Sequence, residues 1–296
     1  MKKIVMPGGI SAIFDPYIFI DPFFSGARGA GLGVSDAVEI KIEIKSSDSL
    51  KITNQINGKK IRGGIGEVTV KTFFEYTGIE SKYEILIQQD IEIPIGAGFG
   101  TSASSALGIV LLLSRILNVP ITFLEAGNIA HLAEIRAKSG LGTVSGLVYL
   151  GDIVIVSRPG APIYCTVDRI LLEDKDIFVV LASKGKKETA IALSDKDFIV
   201  RASMYGKLAV DDLIKNPTVE NFFAIAHRFA ENIGLMTKTI SKTINALSRY
   251  CIGAAQAMIG DSIFALVYKE NIDTVKQIIE ETFKTKPVVK RLVRYL

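Results

Sequence analysis

Pro94-Ile95-Gly96-Ala97-Gly98-Phe99-Gly100-Thr101-Ser102-Ala103-Ser104-Ser105 decides how this chain is read. Upstream, Ile85, Ile87, Ile91 and Ile93 fall on a two-residue period between Glu84 and Ile93, the pattern of a half-buried strand. Downstream, Ala106 to Leu113 is apolar on every side and the run reaches Asn118 before Pro120, which predicts a buried helix from about Ser102. The stretch is therefore a glycine-rich loop joining a strand to a helix. Gly96, Gly98 and Gly100 lack the Cβ that would keep backbone N–H groups from converging. The first N–H groups of the helix have no internal partner and lie at the positive end of its dipole. Together they predict a polyphosphate site, and the hydroxyls of Thr101, Ser102, Ser104 and Ser105 add donors or a ligand for a magnesium ion. No Lys-Ser or Lys-Thr follows the last glycine, which excludes a Walker loop, and Gly-x-Gly-x-Gly lacks the spacing of a dinucleotide fingerprint. The plainer alternative is a tight turn before a core helix.

Composition bounds the rest. With 296 residues and a hydrophobic fraction of 48%, the chain is long enough for two lobes around a large core. The net charge is +4 and the basic residues are scattered, so no nucleic-acid surface is expected, while a modest positive balance suits anionic substrates. Cys165 and Cys251 have no zinc spacing, which fits a reducing cytoplasm and excludes a metal cluster. The apolar run after Met1-Lys2-Lys3 stops at Pro7-Gly8-Gly9, too early for a signal peptide, and no stretch has the ~18 apolar residues of a membrane span.

Pro and Gly are dense in residues 1–30, which predicts an irregular, tightly turned segment. Within it Arg28 sits among small residues, placed either to grip a carboxylate or to be solvated beside a hairpin. Val38, Ile40, Ile42 and Ile44 alternate as a strand, and a helix is expected from Glu67 to Tyr76. Thr122 and Glu125 form a capping box for a helix to about Lys138, which puts His131 and Glu134 on one face. Glu134 reads as a magnesium ligand beside the loop or as a solvated helical residue. The turn Ser139-Gly140-Leu141-Gly142 then leads into an expected strand from Leu147 to Val156. A buried strand is expected from Asp176 to Ala182, before a basic loop from Ser183 to Thr189. Helical periodicity runs from Asp195 to Tyr250 with breaks at Asn216-Pro217 and Gly234. A helix from Asn271 to Phe283 and a strand after Pro287 complete an α+β pattern.

Pro-x-x-x-Gly-Phe-Gly-Thr-Ser-Ala resembles the phosphate loop of the GHMP kinases. The opening Pro7-Gly8-Gly9, Asp21-Pro22, Ser25-Gly26-Ala27-Arg28-Gly29-Ala30-Gly31, Ala130-His131-x-Ala133-Glu134 and Met258-x-Gly260 are similar to the archaeal pantoate kinase branch. The resemblance implies a two-lobed GHMP kinase fold. Residues 1–165 would form an amino-terminal lobe similar to the second domain of ribosomal protein S5, with the phosphate loop at 94–105, and residues 166–296 a carboxy-terminal α/β lobe. It implies ATP and Mg2+, and transfer of the γ-phosphoryl group to a small hydroxy acid, pantoate, on the route to coenzyme A. Nucleotide contacts would come from Pro94, Gly96, Gly98, Gly100, Thr101, Ser102, Ala103, Ser104 and Ser105. Ser102 and Glu134 would hold the metal, with His131 and Thr189 on the substrate side. A cytoplasmic enzyme that could pair as a homodimer is the expected setting, with neither nucleic acid nor membrane as partner.

Two positions depart from that branch. Thr143 stands where its members carry Asp, and Ile155 stands where they carry a substrate-side Arg, with Arg158 three residues on as a substitute. A threonine hydroxyl cannot act as a general base near neutral pH, yet it can orient a reacting alcohol, so Thr143 keeps a catalytic assignment beside Ser102 and Glu134. The missing Arg leaves two alternatives open: a kinase for another hydroxy acid such as mevalonate or a mevalonate phosphate, or an idle nucleotide-binding relative.

Overall fold

The computed structural model describes residues 1–173, 175–185 and 195–295. Strand β1 (Lys2–Tyr17) and strand β2 (Gly26–Ser46) pair antiparallel along their whole length, from Lys2 opposite Ile42 to Tyr17 opposite Gly26. The irregular segment expected for residues 1–30 is therefore replaced by a long ribbon, and only about residues 18–25 turn. The reason lies in what the glycines do. A Cβ at Gly29 or Gly31 would run into the carbonyl oxygens of Ile13 or Ile10, so these glycines permit close strand approach instead of bending the chain. Pro7 falls at a register shift between Met6 and Gly8, where its missing N–H leaves no gap in the ladder.

β2 is the hub of the first sheet. Its second half pairs with β5 (Tyr83–Ile91) and its first half with β6 (Ile153–Arg158). β3 (Lys51–Ile56) runs parallel to β5, β4 (Lys59–Ile61) closes that edge, and β7 (Thr166–Ile170) pairs with β6. A second, antiparallel sheet has the order β11 (Val288–Arg291), β8 (Ile177–Gly185), β10 (Asp261–Tyr268), β9 (Gly253–Gln256). With its helices this is an α+β fold in two lobes. We propose to divide the lobes between the sheets; β7 lies beyond residue 165 and still belongs to the first sheet.

Among the described residues, helix α1 (Gly64–Thr77) and helix α3 (Phe123–Ala137) flank helix α2 (Thr101–Leu117), which packs on β1 and β2. α2 is sunk in the core: Ala103, Ala106, Leu107, Ile109, Val110, Leu112 and Leu113 are all buried. The capping box at Thr122 forms, with the Thr122 hydroxyl accepting from the Glu125 N–H and the Glu125 carboxylate accepting from the Thr122 N–H at 2.7 Å. The strand expected from Leu147 to Val156 is corrected. Helix α4 (Thr143–Val148) comes first, with Val144 and Leu147 buried three residues apart, and Gly151 (φ 150°) and Asp152 (φ 52°) turn the chain into β6. Helices α5 (Lys196–Lys215), α6 (Val219–Asn232) and α7 (Lys238–Leu247) follow, broken near Asn216-Pro217 and Gly234 as the sequence expects; α5 packs on β1 and β2, and α6 and α7 on β9. Helix α8 (Ile272–Thr282) precedes β11.

The tail ties the two sheets together. Leu292 N–H donates to Ile177 O, Val293 N–H to Gly33 O, and Asp152 N–H to Val293 O. Arg294 donates through Nε to Asp152 Oδ1 at 2.5 Å and through its Nη atoms to the carbonyls of Leu172, Glu173 and Lys175. The Asp152 side chain is only 3% exposed, so deleting its partner strands a buried charge. Arg294→Ala is expected to destabilise the protein by about 3 kcal/mol, and Asp152→Asn in the same chain to recover much of the loss. Denaturant unfolding of the parent and the two variants checks this, and equal stability of Arg294→Ala and the parent would refute it.

Candidate active site

The phosphate loop adopts the conformation its glycines allow. Gly96, Gly98 and Gly100 have φ of 72°, 79° and 68°, the left-handed region that side chains resist. Gly100 is the N-cap of α2 and brings no capping side chain, so the first N–H groups of a 17-residue helix are left for a guest. Two backbone neighbours fix the loop in place. A Cβ at Gly100 would strike Gly9 O of β1, and one at Gly98 would strike Met258 O in the turn between β9 and β10. That turn is anchored on both sides: Met258 N–H donates to Ser11 O at 2.8 Å, and the Ser262 hydroxyl donates to Ala97 O at 2.5 Å. The second lobe thereby holds the loop from outside the first.

The loop opens on a cleft lined by Gly96, Gly98, Gly100, Thr101 and Ser102, with Glu134 and Thr143 opposite and Arg28 along β2. Leu147, Leu150, Val154 and Val156 give it an apolar wall. Among the described residues its charged side chains are Glu134 and Arg28.

Glu134 is 1% exposed and belongs to the last turns of α3. Its carboxylate faces the Val144 N–H at the start of α4, which favours the charged form, while Oε2 is buried with no partner. Gly140 passes directly over the carboxylate, where any Cβ would collide with Oε1. Burial pushes the carboxyl up to about 7, only partly offset by the Val144 N–H. An orphaned carboxylate oxygen and the Ser102 hydroxyl on one cleft are hard oxygen donors, and no cluster of three metal-binding side chains exists among the described residues. Such a donor set fits Mg2+, which takes one or two protein oxygens and completes its shell with phosphate and water.

The other residues singled out by sequence divide sharply. Thr143 opens α4 on the cleft wall, its methyl group within reach of Gly9. Ser104 lies outside the cleft lining, its hydroxyl donating to Pro7 O at 2.5 Å with Gly100 O 3.0 Å away, which locks α2 to β1. Pro94, Ala103 and Ser105 lie outside the cleft lining, and Ala103 and Ser105 are buried. His131 is fully buried away from the cleft, with Nε2 3.1 Å from Pro22 O; burial lowers its pKa, so a neutral ring ties α3 to the 18–25 turn. Arg158 is exposed at the end of β6, and Ile155 faces the core while Val154 and Val156 face the cleft. Thr189 lies outside the described residues.

Sequence reasoning misses Asp15 and Asp211, which flank Arg28. Arg28 Nη2 donates to Asp211 Oδ1, and Nη1 stands 3.6 Å from Asp15 Oδ2. A fully buried Asp15 between Phe14 and Pro16 carries the one usable signal, a charge in the middle of an apolar strand. Asp211 carries none, being 183 residues from its partner.

The raised Glu134 pKa links stability to pH. In the folded chain the carboxyl keeps its proton up to about pH 7, whereas the unfolded chain releases it near 4.5. Its favourable contribution is complete at low pH and is lost as pH rises through 7. Glu134→Gln keeps an acceptor facing Val144 and cannot ionise, so without ligand it should be more stable than the parent at pH 8 by about 3 kcal/mol and nearly equal at pH 4. Identical thermal unfolding at pH 8 would contradict the geometry described.

The profile of the GHMP kinases N terminal domain matches residues 60–151, a span that contains the loop, Glu134 and Thr143. A pantoate kinase of Thermococcus kodakarensis is 30% identical over 281 residues, covering 94% of this chain and 92% of that protein. One from Methanocaldococcus jannaschii is 29% identical over 274 residues, covering 93% and 96%. A solved structure described as a phosphotransferase related to the CoA biosynthesis pathway superposes with a TM-score of 0.84 at 28% identity, covering 99% of this chain and 96% of that one. By likeness over nearly its whole length, this chain belongs to the pantoate kinase family of the GHMP kinases.

Proposed function

We propose that this chain transfers the γ-phosphoryl group of ATP to the terminal hydroxyl of pantoate, giving 4-phosphopantoate for coenzyme A biosynthesis. The observation that carries the reading is a left-handed glycine loop at an uncapped helix N-terminus facing a buried carboxylate with a free oxygen, in a chain matching pantoate kinases over more than nine-tenths of its length. The same reading places the enzyme in the cytoplasm with its ATP.

The N–H groups of the loop and of the first turn of α2 bind phosphate oxygens and fix the γ-phosphoryl group toward the cleft. Ser102 and Glu134 supply the oxygens for Mg2+, which when bound neutralises charge on the phosphates. Arg28, the one cation among the described lining residues, takes the carboxylate of the hydroxy acid. The wall of Leu147, Leu150, Val154 and Val156 suits the two methyl groups that pantoate carries between its hydroxyls. Thr143 orients the attacking hydroxyl by a hydrogen bond and leaves its proton to be lost late, as a loose transition state permits.

Assay with ATP, Mg2+ and a panel of pantoate, pantothenate, mevalonate, mevalonate phosphates and homoserine tests the acceptor. Pantoate is expected to be turned over well above the others, and preferential phosphorylation of mevalonate would reassign it. Thr143→Ala is expected to lower kcat about tenfold, the size of one lost positioning bond, with the KM for ATP unchanged. Full turnover by that variant would remove Thr143 from the chemistry.

A further inference from the structure

Arg28 is held between two carboxylates of unequal kind. Asp15 is its cross-strand partner in the β1–β2 ribbon and is fully buried, with neither oxygen in a well-formed hydrogen bond and with Tyr17 and Ser203 as the polar side chains that face it. Asp211 comes from α5, and its side chain is 40% exposed. Gly206 brings α5 close enough for this, since a Cβ there would collide with Phe14 O and crowd Asp15. Arg28 is the member of the trio that lines the cleft.

The guanidinium is incompletely used. A carboxylate grips arginine best through two parallel bonds to one edge, and the Nε–Nη2 edge is such a fork. Here Nη2 donates to Asp211, while Nε is buried without a partner. Asp15 cannot leave, because its strand fixes it, whereas Asp211 is 40% exposed and can turn into solvent, so the half-buried Arg28–Asp211 pair is the one that can break. A third anion arriving with both aspartates in place would meet one positive charge with three negative ones.

We propose that Asp211 is an exchangeable occupant of the Arg28 fork, displaced by the carboxylate of the hydroxy acid, and that it thereby sets the selection for acceptors bearing a carboxylate. Asp15 is the fixed positioning residue, and Asp211 the competitor that an uncharged analogue cannot replace. An acid takes the whole Nε–Nη2 edge and releases Asp211, whereas an amide leaves the internal pair intact. The inference rests on the proposed binding of pantoate at Arg28, and the experiment separates the two.

Steady-state kinetics and calorimetric binding with pantoate and its uncharged amide, pantoamide, are compared for the parent, Asp211→Asn, Asp211→Ala and Arg28→Gln. Both Asp211 variants are expected to lower the pantoate KM roughly two- to fivefold, the strength of a pair with one partner open to solvent, with kcat within about twofold and no change for pantoamide. Arg28→Gln is expected to raise the pantoate KM about tenfold or more, toward that of the amide. Asp211 variants that weaken pantoate binding, or that shift acid and amide alike, overturn the exchange and leave Arg28 as a carboxylate site held by two fixed partners. An Arg28→Gln variant with unchanged pantoate binding overturns the assignment of Arg28 itself, and no binding of pantoate by the parent overturns the proposed function along with it.

Discussion

The constraint on which this structure depends is a three-way backbone contact at the phosphate loop. Gly100 lies against Gly9 of β1 and Gly98 against Met258 of the β9–β10 turn, each so closely that a side chain would displace a carbonyl oxygen. A loop of left-handed residues is entropically costly to order, and glycine pays the most. Here the order is imposed by two lobes at once, through the hydrogen bonds Met258 to Ser11 and Ser262 to Ala97. On the proposed reading the anion site is therefore preformed by the packing of the lobes, and a phosphate entering it meets N–H groups already aimed.

The same packing explains why Glu134 can be left with an unsatisfied oxygen. The carboxylate is buried against the start of α4 and roofed by Gly140, which leaves Oε2 without a donor. In an empty cleft that is a cost to folding, seen in a pKa raised to about 7. On the proposed reading a divalent cation and a polyphosphate reverse the cost, because the oxygen then has a charged partner in a site with little water. Stability withheld from the free protein would in this way be returned as affinity for the nucleotide complex.

Much of this was legible in the sequence, for a physical reason. The glycine loop, the Thr122 capping box and the breaks at Asn216-Pro217 and Gly234 are local chemistry, and each appears where the residues place it. Residues 1–30 misled because glycine has two uses, turning a chain and letting two chains touch, and only the partner strand decides between them. Thr143–Val148 misled because six residues with two buried apolar side chains are too few to set a period. Ser104 and His131 carry polar groups that face backbone carbonyls instead of the cleft, a choice made by helix rotation. The Asp211 contact with Arg28 and the grip of Met258 on the loop join distant segments and leave no mark on local pattern.

On the proposed reading, replacing a carboxylate by Thr143 changes the charge of the cleft more than its shape. A nucleotide brings several negative charges to a site whose described lining offers one guanidinium and one carboxylate. An additional aspartate at 143 would supply a proton acceptor but would also repel the transferring group and the acid beside it. Phosphoryl transfer through a loose transition state asks for little early deprotonation and much positioning, so the hydroxyl gives up the less needed contribution. The apolar wall of Leu147, Leu150, Val154 and Val156 strengthens what is left by excluding water, which raises the value of every hydrogen bond aimed at the phosphates. Catalysis in such a cleft then rests on the fixed backbone of the loop, the same element whose glycines organise the fold.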